Sequence, residues 1–289
     1  MATLKAIRRR IASVRSTEQI TRAMKLISAA RLRRAQEALL SARPYHEALT
    51  RVADSVLQTA PDVAAPVENA AGKILIVVVA SDRGLAGGYN INLLRLAEQA
   101  ASNGRGDQLE AEFFAIGRKA LDHLRRARQS LAGERINNSP RLATVGLARE
   151  ISQLVLERWR SGMIREAGLI YSVFHSALSQ RPTFEKLLPI QAPPQNGAQQ
   201  AAASEYLIEP SPAELVPVVL RTYVEASVLH ALLEAEASEQ GARMTAMDAA
   251  TNNAIDMIER LTLEMNRARQ AAITKELMDI VGGAEALSG

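Results

Sequence analysis

Apolar residues recur at helical spacing at both ends of this 289-residue chain and give way to short β-branched runs between them. From residue 2 to about 57 helix formers dominate, and Leu4, Ile7, Ile11 and Val14 follow a 3-4-3 spacing. Ile20, Met24 and Ile27 resume the spacing after a slip near Ser16-Thr17, and Leu49, Val52 and Val56 extend it. A seam that wanders in this way predicts an imperfect coiled coil, with Pro44 as a kink or a break. Residues 212 to about 284 predict a second long helix. Its distal half carries a strict heptad series: Met244, Met247, Thr251, Ala254, Ile258, Leu261, Met265, Ala268 and Ala272. That series predicts a left-handed supercoil with a partner helix. At about 1.5 Å per residue the helix is a rod of about 110 Å, whereas a compact chain of this length has a radius of gyration of roughly 19 Å. Such a rod must project, and it needs something to reach into.

Between the helices the period changes. Ile74 to Val79 is a β-branched run of the kind that forms a strand buried on both faces. Glu112 to Ile116, Gly168 to Phe174 and Thr183 to Ile190 are further strand candidates. Helical stretches fall at Asn90 to Ala101, Arg118 to Arg128 and Thr144 to Trp159. Alternating β and α implies a central, Rossmann-like α/β domain with a mostly parallel sheet. The Pro- and Ala-rich residues 58–72 predict a connection, and the polar, low-complexity residues 191–204 a mobile loop. Tyr206-Leu207-Ile208 fits a short edge strand. The expected parts are therefore 1–57, 73–208 and 212–289.

Charge couples the two ends. Residues 1–45 hold eleven Lys or Arg against Glu18 and Glu37, and residues 205–289 hold fourteen acids against six bases, giving +9 and −8 within a total of +4. A lone basic arm suggests nucleic acid or anionic lipid. A basic arm matched by an acidic one predicts two helices lying side by side. No apolar run approaches the roughly 20 residues that span a bilayer, and the amphipathic start shows no secretory signal. Cysteine is absent, which removes disulfides, thiol nucleophiles and thiolate metal ligands. His46, His123, His175 and His230 are too scattered to suggest a metal site.

The candidate chemistry is thin. Ser81-Asp82-Arg83-Gly84-Leu85-Ala86-Gly87-Gly88-Tyr89-Asn90 follows the first strand, where phosphate loops occur. It lacks both G-x-G-x-x-G and Gly-Lys-Ser/Thr, so a tight strand-to-helix turn capped by Asp82 or Asn90 is the better reading. No Ser-His-Asp, H-E-x-x-H or G-x-S-x-G pattern is present. No catalytic, cofactor-binding or metal-ligating residue is predicted, and no cofactor.

RIASVRSTEQITRAMKLISAARLRRAQE near the start, SDRGLAGGYN in the middle, and ARMTAMDAATNNAIDMIERLTLEMNRARQAAITKELMDIVGGAEAL at the end resemble the gamma subunit family of F-type ATP synthase. The resemblance implies an antiparallel coiled coil of the two terminal helices inside a head of alpha and beta subunits. It implies a central domain against the epsilon subunit and the membrane c-ring. Rotation of a lopsided coil would drive the beta sites in turn through different nucleotide affinities, with ATP chemistry belonging to the beta subunits. By the same resemblance Arg269, Gln270 and Thr274 contact the beta subunits, and Met24 and Arg243 match positions that govern coupling. Met24 equally fits seam packing. Residues 273–287 would form an apolar tip turning in a sleeve. The cysteine-bearing insert of chloroplast members is absent. The implied setting is the cytoplasmic face of a bacterial inner membrane, with no direct membrane insertion and no nucleic acid.

Overall fold

A computed structural model describes residues 4–59, 72–106, 109–136, 143–190, 209 and 211–288. The chain order is α1 (Leu4–Thr59), β1 (Lys73–Val79), α2 (Tyr89–Gly106), β2 (Glu110–Ile116), α3 (Arg118–Arg126), β3 (Ser130–Arg135), α4 (Val145–Arg160), β4 (Glu166–Phe174), β5 (Gln180–Leu188) and α5 (Pro212–Ser288). The loop expected at 191–204, the edge strand at 206–208 and all of the 58–72 connection except its two ends lie outside the described residues. Thr59 still belongs to α1. Pro44 sits inside α1 without ending it.

The described residues form two compact units, one of residues 1–27 and 244–289 and the other of residues 28–243. In the smaller unit α1 and α5 pair antiparallel. Thr251 Oγ1 lies 2.8 Å from Thr21 Oγ1, Lys25 Nζ lies 2.5 Å from Asp248 Oδ1, and Ile7 and Ile11 pack with Leu261. Each step forward along α1 is therefore a step back along α5. The α5 heptad is buried or partly buried from Met244 to Ala268 and becomes exposed at Ala272.

The slip expected near Ser16-Thr17 does not occur. In this unit the covered line of α1 runs through Leu4, Ile7, Ile11, Val14, Glu18, Thr21 and Lys25, an unbroken heptad. Ile20 and Ile27 lie off that line and are 57% and 53% exposed. The seam does not wander; it changes from apolar to polar, and a reading based on hydrophobicity alone loses it.

The larger unit is built on a five-stranded sheet ordered β3-β2-β1-β4-β5. β1, β2, β3 and β4 run parallel, and β5 pairs antiparallel with β4. Ile74, Ile76 and Val78 face α2 and α3, while Leu75, Val77 and Val79 face α4 and parts of α1 and α5. Both faces are covered, which explains why β1 reads as a continuous apolar run. Nothing in the hydrophobic pattern predicts β3. Its sequence, Ser-Leu-Ala-Gly-Glu-Arg, has no β-branched residue. It forms because Gly133 admits the Phe114 ring beside it: a Cβ there would sit 2.8 Å from the ring. The heptad spacing of α1 continues here through the buried Ser28, Leu32, Ala35 and Leu39.

Candidate coupling surface

The smaller unit presents chemistry outward. Ala268 packs against the Ile7, Ile11 and Leu261 cluster, and from Arg269 to Gly282 every residue of α5 is exposed. Arg269, Gln270 and Thr274 are all exposed. Gln270 and Thr274 share one helix face, and Thr274 Oγ1 donates to the Gln270 carbonyl at 3.0 Å. The neighbouring Ile273, Leu277, Met278, Ile280 and Val281 are exposed as well. Apolar side chains presented together on a helix end mark an interaction surface. Met24 is half-buried beside the seam, on the flank of Thr21 and Lys25. The structure brings Arg269, Gln270 and Thr274 together, and places Met24 elsewhere in the same unit.

The expected pairing of basic and acidic helices is sparse. Lys25–Asp248 joins the helices in this unit. Arg22 pairs instead within α1, with Glu18 at 3.7 Å. Arg8, Arg9, Arg10 and Arg15 on α1 and Asp256, Glu259 and Glu264 on α5 are exposed. Exposed pairs contribute about 0–1 kcal/mol, so the seam packing holds this unit and most of the charge faces outward.

Arg243 belongs to the larger unit and is 7% exposed. Its Nη1 donates to Glu239 Oε1 at 2.6 Å. Its Nη2 reaches the carbonyls of Arg83 and Gly84 at 3.5 and 3.4 Å. Burial pushes the Glu239 carboxyl up, against the pull of the Arg243 charge. Burial likewise holds the Tyr89 phenol protonated, and its hydroxyl donates to the Ala235 carbonyl at 3.3 Å.

The turn that Arg243 touches uses its polar groups internally. Asn90 Oδ1 accepts from the Ser81 N–H at 3.1 Å and from Ser81 Oγ at 2.9 Å. Asp82 Oδ1 accepts from the Arg118 N–H at 2.9 Å, at the first turn of α3. A carboxylate thus occupies the helix N-terminus where a phosphate would bind. The capping role expected of Asp82 is real, but it serves α3 and not the helix that follows it in sequence. Among the described residues, no group of three or more His, Asp or Glu is placed to hold a metal ion. Among the described residues, α5 holds an eighteen-residue window whose mean hydropathy is high enough to cross a bilayer; 56% of that window is buried in the protein, as in a core helix.

A family model described as ATP synthase matches residues 3–287. The ATP synthase gamma chain of Desulfitobacterium hafniense is 45% identical, covering 99% of this chain and 100% of its own length. That of Pelotomaculum thermopropionicum is 44% identical over the same shares. The chain belongs to this family. Among solved structures, a rotor chain of the Euglena gracilis mitochondrial ATP synthase has a TM-score of 0.67 at 19% identity, covering 93% of this chain and 98% of its own. A central-stalk/c-ring chain of the Tetrahymena thermophila enzyme has a TM-score of 0.59 at 25% identity, covering 80% and 99%. The family's two-helix coil with a central sheet is the arrangement found here.

Several residues with structural weight escape the sequence reading. Glu239 is the partner that fixes Arg243, and the buried Glu234 gathers the half-exposed Arg43 and the partly buried His230 around it, with His46 stacked alongside, in the larger unit. His46 and His230 stack with ring centroids 4.3 Å apart and planes 9° from parallel. They are far apart in sequence, so no local pattern connects them.

Proposed function

We propose that this chain is the central stalk of an F-type ATP synthase. It transmits torque between a proton-driven membrane rotor ring and a catalytic head of alpha and beta subunits. Rotation then drives ATP synthesis, or ATP hydrolysis drives proton pumping. The observation that carries the reading is full-length membership of the gamma chain family combined with an antiparallel helix pair whose end is exposed and apolar.

In this reading the chain performs no chemistry by itself and holds no cofactor. Residues 1–57 and 212–289 form the axle, and residues 73–208 form the domain that meets the epsilon subunit and the c-ring. Arg269, Gln270 and Thr274 touch the beta subunits, the apolar end beyond them turns in the head, and Met24 and Arg243 influence coupling. The chain sits peripherally at the membrane as part of the complex, on the cytoplasmic face in a bacterium. Small residues within the seam, Thr21, Thr251, Ala254 and Ala268, support this role, because close backbone approach at those positions stiffens a shaft. Exposed arginines along α1 suit acidic partner surfaces.

Co-purification tests the reading. Expressed with its alpha and beta subunits, the chain should form a stable complex with ATPase activity that the chain alone lacks. Failure to associate under conditions where alpha and beta fold would overturn it.

A further inference from the structure

Strand β1 pairs with β4 only as far as Ile170, yet β4 continues to Phe174. Backbone groups beyond that point need other partners, since buried unpaired ones are costly. Two of them are taken by side chains of α5. Ser238 Oγ donates to the Ser172 carbonyl at 2.8 Å, and the Phe174 N–H donates to Glu234 Oε2 at 2.7 Å. Ser172 and Ser238 are buried, and Glu234 is 2% exposed.

The spacings match. Four residues of helix rise about 6.0 Å, and two residues of strand about 6.6–6.8 Å. Glu234 and Ser238 therefore meet Phe174 and Ser172 as an antiparallel pair of rungs, where a neighbouring strand would otherwise bond. Gly241, three residues on and on the same helix face, permits the approach. A Cβ there would sit 3.2 Å from the Phe174 ring and 3.4 Å from the Ala177 Cα. The other oxygen of Glu234, Oε1, faces α1 and lies 3.5 Å from Arg43 Nη2. One carboxylate thus ties α1, α5 and β4 together.

The geometry points to Glu234 and Ser238 as the positioning residues that fix the register of α5 on the sheet, a joint through which torque passes between the helices and the α/β domain. Apolar packing alone is non-directional and lets a helix slide or roll on a sheet. Directional bonds at two points along one helix face forbid both. The inference rests on the central-stalk reading.

The test uses the complete complex in vesicles, with proton pumping per ATP hydrolysed as the readout. Glu234→Ala with Ser238→Ala, which removes both bonds, should lower that ratio severalfold at unchanged complex yield. Glu234→Gln, which keeps an oxygen to accept from the Phe174 N–H, should restore most of it. A purely structural role would reduce yield and leave the ratio unmoved, and a wild-type ratio in the double variant overturns the inference. Where the double variant does not assemble, Ser238→Ala alone decides: a lowered ratio supports the joint and an unchanged one refutes it. A wild-type complex that hydrolyses ATP without pumping contradicts the central-stalk reading itself, a different failure.

Discussion

Thr251 Oγ1 lies 2.8 Å from Thr21 Oγ1 and 2.7 Å from the Met247 carbonyl. Thr21 in turn donates to the Glu18 carbonyl at 3.0 Å. The single proton of Thr251 can serve Thr21 or Met247 at any moment, so a polar contact crosses the seam without leaving an orphaned donor. A double-mutant cycle of Thr21→Val and Thr251→Val, read by urea denaturation, should show a coupling of about 0.5–1.5 kcal/mol. Strict additivity would show that the two hydroxyls do not interact.

The same pair explains what is legible in the sequence. The α5 heptad can be read because Met247, Ala254 and Leu261 are apolar, and burial at all three follows. The α1 heptad is misread because its middle passes through Glu18, Thr21, Lys25 and Ser28, while Ile20 and Ile27 offer an apolar alternative. β3 escapes because its sequence carries no β-branched signal and depends on Gly133 fitting beside Phe114. The joint of Glu234 with Phe174 and Arg43 cannot be read, because it depends on residues brought together only by the fold.

The stacked histidines give the larger unit a pH dependence. Burial lowers both pKa values, that of His230 to about 4 with the Arg43 charge assisting, and that of His46 with the neighbouring His230 assisting. Arg43 and Glu47 of α1, Glu234 of α5 and Glu185 of β5 are the charged groups around them. The unfolded histidines titrate near 6.5, so stability is full above that pH. As pH falls from 6.5 towards 4 the unfolded chain binds protons that the fold refuses, and stability declines by up to about two protons' worth of slope. Urea midpoints at pH 7.5 and pH 5 should differ less in His46→Phe/His230→Phe than in the wild type. Equal differences would remove the histidines from the account.

Asp82 holds the start of α3 from outside that helix. Asp82→Ala should cost about 1 kcal/mol, the usual weight of a capping side chain, and Asp82→Asn should cost less, because its amide oxygen can still accept from Arg118. Hydrogen exchange at the Arg118 amide checks this. No change in Asp82→Ala would mean that the 2.9 Å contact adds nothing.

Arg269 and Gln270 are exposed, so replacing them should change the stability of the chain by no more than about 0.5 kcal/mol. Arg269→Glu with Gln270→Ala should nevertheless reduce ATP synthesis by the assembled complex while assembly proceeds. Normal coupled synthesis would remove these residues from the contact surface.

The most direct measurement of the central claim is rotation. The chain contains no cysteine, so Leu178→Cys, at a position 84% exposed in the β4–β5 turn, offers a single labelling point. With the alpha and beta subunits fixed to a surface and a bead on the introduced thiol, ATP should drive sustained rotation of the bead in one direction. A bead that stays still while the same complexes hydrolyse ATP would contradict the account.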